Sequence, residues 1–417
     1  RWTEGRNMEA FVDLLAAGKI PVQKLISHRF DVDQAPDAYA LITGKRAEPF
    51  LGVILRYPER DTSVDQSLPV DSGFQTTSLP VNPVRITNSG TSIQLGVLGA
   101  GNFATAVLLP AVQKIPSIQR VVIASASGAS AQNAARRFGF SEAVSDEAAV
   151  LENPRINTVA ILTRHNLHAR QVQAGLNAGK NVFCEKPLAL DEVELDEIAQ
   201  ALNQNQGRSL LMVGFNRRFA PLAIRLKEFI AGRSEPVVAQ YRVNAGFIPL
   251  NHWTHDPRQG GGRIIGEGCH FIDLLTFLVG QPPAAVSAVG LPDAGRYRED
   301  NLVISLSFPD GSLGTVTYLA NGDKAFPKER LEVFCGGRVA VLDDFRSLEM
   351  VSAGRRQTQT SRLRQDKGHQ AEWLAFNAAV QAGGAPPIPY VDLFGVSRAS
   401  IAAQQALRTG QTIRLPG

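Results

Sequence analysis

Three loops in this sequence carry residue types and spacings suited to redox and proton-transfer chemistry. The first, Gly99-Ala100-Gly101-Asn102-Phe103-Ala104, follows the apolar run Ile93–Leu98 and leads into a helical pattern. Glycine at 99 permits a tight turn, glycine at 101 lets an anion reach the backbone, and small Ala104 allows close helix-on-strand packing. The free N–H groups at the head of that helix, around Asn102 and Phe103, favour a pyrophosphate. The turn predicts a dinucleotide site, against the bland alternative of a glycine turn that binds nothing. The second strand ends in Ser125, Ala126, Ser127 and Gly128, where an acid would hold the adenosine ribose. With no carboxylate there to repel a 2′-phosphate, and Arg136 or Arg137 nearby, NAD and NADP both stay open; a solvated helix face is the plainer reading of those arginines.

The second and third loops hold Thr163, His165 and His168 after the strand Thr158–Leu162, and Glu185, Lys186 and Pro187 after Asn181–Cys184. Ligands of open α/β sheets lie at the carboxyl ends of the strands, so both loops are expected to converge on the cofactor. Further along, AGFIPLNHWTHDP supplies His252, Trp253, His255 and Asp256, an apolar ring face beside hydrogen-bonding groups, which suits a sugar-like polyol. No cysteine or third ligand has zinc-site spacing, so no metal is expected. Arg217 and Arg218 suit either an anionic substrate group, such as a carboxylate or nucleotide phosphate, or a structural salt bridge.

These loops need a scaffold, and the pattern around them supplies one. From 93 to about 212 strands alternate with helices: Ile93–Leu98, a helix into Gln113, Val121–Ala126, a helix before Gly139, Thr158–Leu162, a helix before Gly179, then Asn181–Cys184. That alternation predicts an N-terminal Rossmann-type α/β domain with a parallel sheet. From 213 to 417 long strands follow, Val237–Val243, Leu302–Phe308, Leu313–Tyr318, Leu331–Phe334 and Val339–Asp343, joined by Asp-Gly and Gly-Gly turns. They predict an α+β substrate domain with an open, mostly antiparallel sheet, and a helical tail from Gln370 to about Arg408 that packs back.

Ahead of these lie residues 1–58, with helical spacing in Met8, Phe11, Leu14 and Leu15, Gly18 as a C-cap, a helix at Ala35–Thr43 and a strand at Phe50–Leu55. This is too little apolar material for an independent domain. Its stretch LLAAGKIPVQKLISHRFDVDQAPDAYALI, followed by GVILRY, resembles the C-terminal end of medium-chain, zinc-type alcohol dehydrogenases. The zinc ligands and fingerprint of that family do not fit in so short a piece, so no such activity is assigned to it. Residues 59–92, rich in Ser, Thr, Pro, Asp and Asn, read as a linker.

The combination of GAGNFA, a Thr-x-x-x-x-His loop, AGK-x-V-x-x-EKP and VGFNRRFAP, over about Ile93 to the C-terminus, resembles the Gfo/Idh/MocA oxidoreductases. The resemblance implies that Lys186 lies near both the nicotinamide and the reacting hydroxyl. There an ammonium can hydrogen-bond the substrate oxygen and stabilise a developing alkoxide, with Glu185 placed to orient it. It also implies that GGGRIIGEGCHFIDLL enters a helix bearing a catalytic histidine, His270, whose near-neutral pKa suits acid–base work. Many members carry Asp four residues before that histidine; this chain has Gly266 there and Glu267 beside it. On an ordinary helix Glu267, His270 and Asp273 share one face, so Glu267 is the expected orienting group.

The expected function is therefore NAD(P)-dependent hydride transfer at a hydroxyl or keto carbon of a sugar, cyclitol or nucleotide-linked sugar. The alternatives are a redox-neutral epimerase or eliminating enzyme that retains its NAD, and a non-catalytic dinucleotide sensor or assembly protein. Composition agrees with a small-molecule enzyme. The 43 basic and 39 acidic residues give a net charge of +4 without a basic run, which points away from nucleic acid. No apolar stretch reaches the roughly 20 residues that span a bilayer. Cys184, Cys269 and Cys335 read as free thiols in a cytoplasmic protein. The family resemblance implies a homo-oligomer. The chain begins at Arg1 rather than Met, so a longer natural protein with a complete alcohol-dehydrogenase-like domain stays open.

Overall fold

The strand β4 (Ile93–Leu98) is the axis around which the dinucleotide-binding half is built, because five of its six residues are buried and only Gln94 is partly exposed. In the computed structural model, which describes residues 11–46, 48–57, 79–80, 92–293, 295–361 and 365–416, the chain divides into two units, Arg1–Phe74 and Gln75–Gly417.

In the first unit β1 (Ile26–Asp31) and β2 (Gly52–Arg56) pair in parallel, joined through the helix Ala35–Ile42. Residues 11–16 are helical and Gly18 follows in the left-handed region at φ +67°, as a C-cap requires; Met8 lies outside the described residues. The sequence pattern misses β1, whose run ISHRFD gives little apolar contrast. Among the described residues only Ala38 and Leu41 are buried hydrophobics, while Phe11, Leu25, Tyr39, Leu51 and Tyr57 are exposed. So sparse a core agrees with a segment that cannot stand alone.

The second unit holds two sheets. Strands β3 (Leu79–Pro80), β5 (Ile118–Ala124), β6 (Glu142–Val144), β7 (Thr158–Ile161), β8 (Asn181–Cys184) and β9 (Leu211–Val213) join β4 in the order β3-β6-β5-β4-β7-β8-β9. All pairs are parallel except β3 with β6. Leu79–Pro80 thus form a strand inside the expected linker, most of which lies outside the described residues. Strand order reverses at β4, which pairs with β5 on one side and β7 on the other, and the crevice of such a sheet opens there. Helices such as Gly128–Phe138, His165–Asn177 and Glu192–Asn205 return the chain between strands.

The other sheet has nine strands, all antiparallel neighbours except β10 (Val238–Asn244) and β13 (Leu313–Leu319), which run parallel. Helix Cys269–Val279 packs on this sheet, and the final helix Tyr390–Thr409 packs on that helix. The tail splits in two: the earlier helix, His369–Ala382, lays Trp373 and Phe376 against Phe183 of β8, with ring centroids 4.4 and 5.8 Å apart. The C-terminal end thereby braces the strand that carries Glu185 and Lys186.

Candidate active site

At the carboxyl end of β4 the chain turns at Gly99, whose φ is +105°. A Cβ there would lie 2.5 Å from the carbonyl oxygen of Leu162, so only glycine lets β4 and β7 stay together as they leave the sheet. Gly101 has nothing within 4 Å of where its Cβ would be, and it borders a cleft of roughly 1070 Å³. Ala104 is buried at the head of the helical segment that follows. A tight glycine turn followed by a glycine facing open space at a helix head forms the cradle that a pyrophosphate needs, so the residues present fit a dinucleotide. Gly99, Gly101, Asn102, Phe103, Ala104 and Ser125 all border the cleft, as do Thr163, His165, His168, Glu185, Lys186, His252 and Trp253.

Ser127, Arg217, His255, Glu267 and His270 do not border it. Ser127 is the N-cap position of helix Gly128–Phe138. Arg136 and Arg137 lie on that helix's exposed face, away from the cleft. The acids near the second strand come instead from the next one: Asp146 and Glu147, after β6, border the cleft. Asp146 caps the following turn through the Ala148 N–H at 3.0 Å. Glu147 pairs with Arg170 and accepts from Gln171 at 2.7 Å, and Gln171 in turn accepts from the Thr163 hydroxyl at 2.6 Å. A three-residue strand is too short to show a period, so this loop has no signature in the sequence pattern.

The two histidines of the Thr163 loop are held by main-chain carbonyls. His168 is fully buried between the Pro187 oxygen at 2.7 Å from Nδ1 and the Thr163 oxygen at 3.2 Å from Nε2. It ties the Thr163 loop to the Lys186 loop. Burial, reinforced by Lys186, lowers its pKa to about 4, so the ring is neutral and its single N–H donates to one of the two carbonyls, the nearer being Pro187. His165 Nδ1 lies 2.8 Å from the Gly260 oxygen and its ring meets Trp253 edge-on at 4.8 Å. Burial, then Lys186, lowers it to about 3. Trp253 also receives the guanidinium of Arg164, 5.2 Å from its ring centroid.

Lys186 reaches out of the Rossmann sheet and donates from Nζ to the Gly266 carbonyl at 3.0 Å. One turn further on, His270 is buried with Nδ1 lacking any hydrogen-bond partner, beneath the rings of Phe215 and Phe271. Burial, followed by the charges of Arg217 and Lys186, holds its pKa well below the ordinary imidazole value. The ring is therefore in the form that can accept a proton, although its unpartnered Nδ1 is closed off from solvent.

Three of the sequence expectations are corrected here. Glu267 does not orient His270. Residues Ile264–Gly268 form a wide π-type turn that rotates Glu267 off the His270 face. Its carboxylate instead accepts from the Tyr318 hydroxyl at 2.9 Å and Arg263 at 3.3 Å, with Lys328 at 3.8 Å. Burial opposes its charge, but Lys328 and Arg263 outweigh that and hold it at about 2. Asp273 goes elsewhere again, pairing with Arg218, which also meets Asp392 at 3.2 Å. Arg217, expected at a substrate, is committed to Glu329 through Nε at 2.8 Å and Nη2 at 2.9 Å. Lys367 closes the other side of Glu329 at 2.6 Å. Both arginines therefore follow the salt-bridge reading. His255 is also buried away from the cleft, with Nε2 3.3 Å from the Ile248 oxygen, while His252 and Trp253 stay at its wall.

Behind Lys186 lies a pair that sequence spacing could not reveal. Glu185 is buried against Gly214, where a Cβ would come 2.8 Å from its Oε1. Burial raises its pKa to about 7 although Lys186 and Arg217 pull it down. Glu372, from helix His369–Ala382, is fully buried and neither carboxyl oxygen has a partner. Burial, then Glu185 and Asp273, raises it well above the carboxylate range, so it is a neutral acid. Among the described residues no three His, Cys, Asp or Glu side chains gather as a metal site, and no helix is long and apolar enough to cross a membrane. All three cysteines are free and buried.

Two family models match this chain: an oxidoreductase family with an NAD-binding Rossmann fold over residues 93–215, and the C-terminal alpha/beta domain of the same family over 232–415. Levoglucosan dehydrogenase of Pseudarthrobacter phenanthrenivorans is 28% identical over 236 residues, covering 48% of this chain and 59% of that protein. Myo-inositol 2-dehydrogenase of Thermotoga maritima is 23% identical over 336 residues, covering 78% and 98%. The solved structure of levoglucosan dehydrogenase with NADH and levoglucosan superposes with a TM-score of 0.69 at 24% identity, over 78% of this chain and all of that one. That likeness establishes the shared two-domain fold.

Proposed function

Residues 93–415 belong to the Gfo/Idh/MocA oxidoreductase family, and from that premise we propose that the protein is an NAD-dependent dehydrogenase acting on a carbinol carbon of a sugar or cyclitol. The observation that carries this reading is the meeting of Lys186 and the His270 helix. Lys186 borders the dinucleotide cleft yet bonds to Gly266 of the second domain, four residues before a buried, neutral histidine with a free nitrogen. A bound nicotinamide supplies the hydride acceptor. Lys186 Nζ donates to the substrate oxygen and stabilises the negative charge that builds there as hydride leaves. His270 takes the hydroxyl proton, and its suppressed pKa keeps it in the accepting form at neutral pH. Trp253 and His252 form the wall against which the polyol lies. The preference for NAD rests on Asp146 and Glu147 at the cleft wall and on Arg136 and Arg137 lying away from it, which leaves a 2′-phosphate facing two acids where Arg170 is already paired with Glu147.

The parallel pair β1 and β2 and the sequence of residues 1–58 support reading that segment as the end of an alcohol-dehydrogenase-like domain, without chemistry of its own.

The test is Lys186→Met, assayed for reduced-nicotinamide absorbance on sugars and cyclitols and for NADH binding by fluorescence. NADH binding within about twofold of wild type with turnover lowered by about 10²–10⁴ is expected; full turnover refutes the mechanism. A cycle in which NAD is reduced and reoxidised, for epimerisation, would show product with no net absorbance change.

A further inference from the structure

A dinucleotide carries two phosphates, and the backbone N–H groups of a glycine turn meet them with partial charges only. The cleft wall offers little else. Apart from histidines, the basic side chains along it are Arg164 and Lys186. Lys186 is turned to the second domain, where Nζ donates to the Gly266 carbonyl. Of the acids that border the cleft, Glu147 is already paired with Arg170, which does not border it. Arg164 is the one cation of the wall that the rest of the site leaves uncommitted.

Its place in the chain puts it beside the glycine turn. A Cβ on Gly99 would come 2.5 Å from the Leu162 oxygen and 3.1 Å from the Thr163 nitrogen, so the exit of β7 touches that turn, and Arg164 is the next residue along. The side chain is exposed rather than sunk in the core. Two groups of the second domain hold it: its guanidinium lies 5.2 Å from the Trp253 ring centroid, and Nη1 donates to Gln259 Oε1 at 2.5 Å. Gln259 is itself fixed, with Nε2 donating to Asp256 at 3.2 Å and its main-chain oxygen accepting from the Asn166 N–H at 3.2 Å. The Asp256 carboxylate is occupied by that bond and by the Arg258 N–H at 2.8 Å, one carboxamide away from Arg164. Among the described residues no carboxylate pairs with Arg164.

We infer that Arg164 is a phosphate-binding residue of the dinucleotide site, held in position by Trp253 and Gln259, so that the second domain contributes to cofactor affinity. A guanidinium is a planar fork of five N–H donors, and one bond to a neutral carboxamide leaves most of them for an anion. Contact with an aromatic ring occupies the face of the fork and spares its edge, where the donors are. Charge-assisted bonds to phosphate are about twice as strong as neutral ones, which gives the cleft the full charge that its glycine turn lacks. The inference rests on the dinucleotide site and not on the chemistry at Lys186. No motif marks it, because the partner that fixes Arg164 lies 95 positions away.

The experiment titrates the full chain with NADH, followed by fluorescence, and with ADP-ribose, followed by calorimetry, each at low and high salt. Arg164→Gln should weaken both ligands about tenfold and remove much of the salt dependence, while Arg164→Lys, which keeps the charge, should recover part of each. Gln259→Ala should weaken both about threefold, because the guanidinium loses its fixed plane. Affinities for NADH and ADP-ribose within about twofold of wild type in Arg164→Gln overturn the inference. So does a loss that ignores salt and is as large in Arg164→Lys, since the residue would then only fasten the Trp253 loop. An unchanged ADP-ribose affinity with KM for a sugar raised about tenfold would assign the guanidinium to the substrate, again against the inference. Arg164-dependent NADH binding without reduction of NAD by any sugar or cyclitol would sink the dehydrogenase reading and leave this one standing. Turnover by Arg164→Gln with full affinity for the cofactor would do the reverse.

Discussion

Replacing Glu372 with glutamine should make the protein more stable, and increasingly so as pH rises. Glu372 is fully buried with both carboxyl oxygens unpartnered, and Glu185 and Asp273 are acids near it. The basic group that acts on it, Arg217, is already engaged with Glu329. In the folded protein the Glu372 proton is held far above the unfolded value of about 4.3. A group whose folded pKa is raised contributes its full stabilisation below the unfolded pKa and loses it as pH climbs towards the folded one. Above about pH 5 the wild type therefore loses about 1.4 kcal/mol per pH unit through this one side chain, and glutamine, neutral throughout, loses none. The difference in favour of Glu372→Gln therefore widens at about that rate until the folded-state proton is lost, while near pH 5 the two proteins differ little, because glutamine and a protonated glutamate have similar shape and polarity. Glu185, raised to about 7 and acting directly on Glu372, slopes in the same sense over this window, so part of the change that the substitution produces is read through it.

Urea unfolding at half-unit pH steps, followed by the fluorescence of buried Trp373 next in the chain, reads this directly. Parallel stability curves for the two proteins would refute the reasoning, since they would mean that Glu372 titrates alike in both states. A variant that became less stable at high pH would mean that the carboxylate is ionised and paired.

Gly99→Ala should lose NADH binding in a fluorescence titration and destabilise the fold by about 2–4 kcal/mol, because its methyl would sit 2.5 Å from the Leu162 oxygen on a backbone at φ +105°. Glu329→Gln leaves Arg217 and Lys367 without their carboxylate and should cost about 3–5 kcal/mol in urea unfolding. That cost should be constant from about pH 5 to 9, because Glu329 is held well below the carboxylate range by Arg217 and Lys367 despite its burial. For His270 the acid limb of kcat/KM in alcohol oxidation should fall below the ordinary imidazole value of about 6.5, and His270→Asn should abolish turnover while NADH still binds. An acid limb at the ordinary value would show that the ring is solvated during turnover.

What could be read from the sequence follows from how local each signal is. The inner strands of the Rossmann sheet are covered on both faces and appear as unbroken apolar runs, so β4, β5, β7 and β8 are visible without a structure. Strands β6 and β9 have three residues each, too few to show any period. The edge strand Arg355–Thr360 is exposed at all six positions and has no apolar face to betray it. The glycine turn and the Lys186 loop are legible for the same reason as the inner strands: each is one contiguous piece whose chemistry and backbone demands fall together. Arg217 is different, because an arginine for a substrate and an arginine for a salt bridge are the same letter. Its meaning is decided by Glu329, 112 positions away.

Glu267 shows a subtler limit. Its spacing from His270 was read on a helix of ordinary pitch, and one π-type turn at Ile264–Gly268 was enough to send it to Tyr318 and Arg263 instead. The glycines that make this segment recognisable also free it from regular geometry, so the stretch easiest to identify is the one whose side-chain directions are hardest to infer. The site itself is assembled from pieces that no window contains. Phe183 on β8 packs against Trp373, whose neighbour in that helix is Glu372, and Lys186, two residues past β8, crosses to Gly266. A substitution along His369–Ala382 should therefore register at Lys186 before it registers in the glycine turn, since the helix supports the strand that carries the lysine. Weakening Trp373 while sparing NADH affinity, with turnover reduced, is the pattern that this bracing requires.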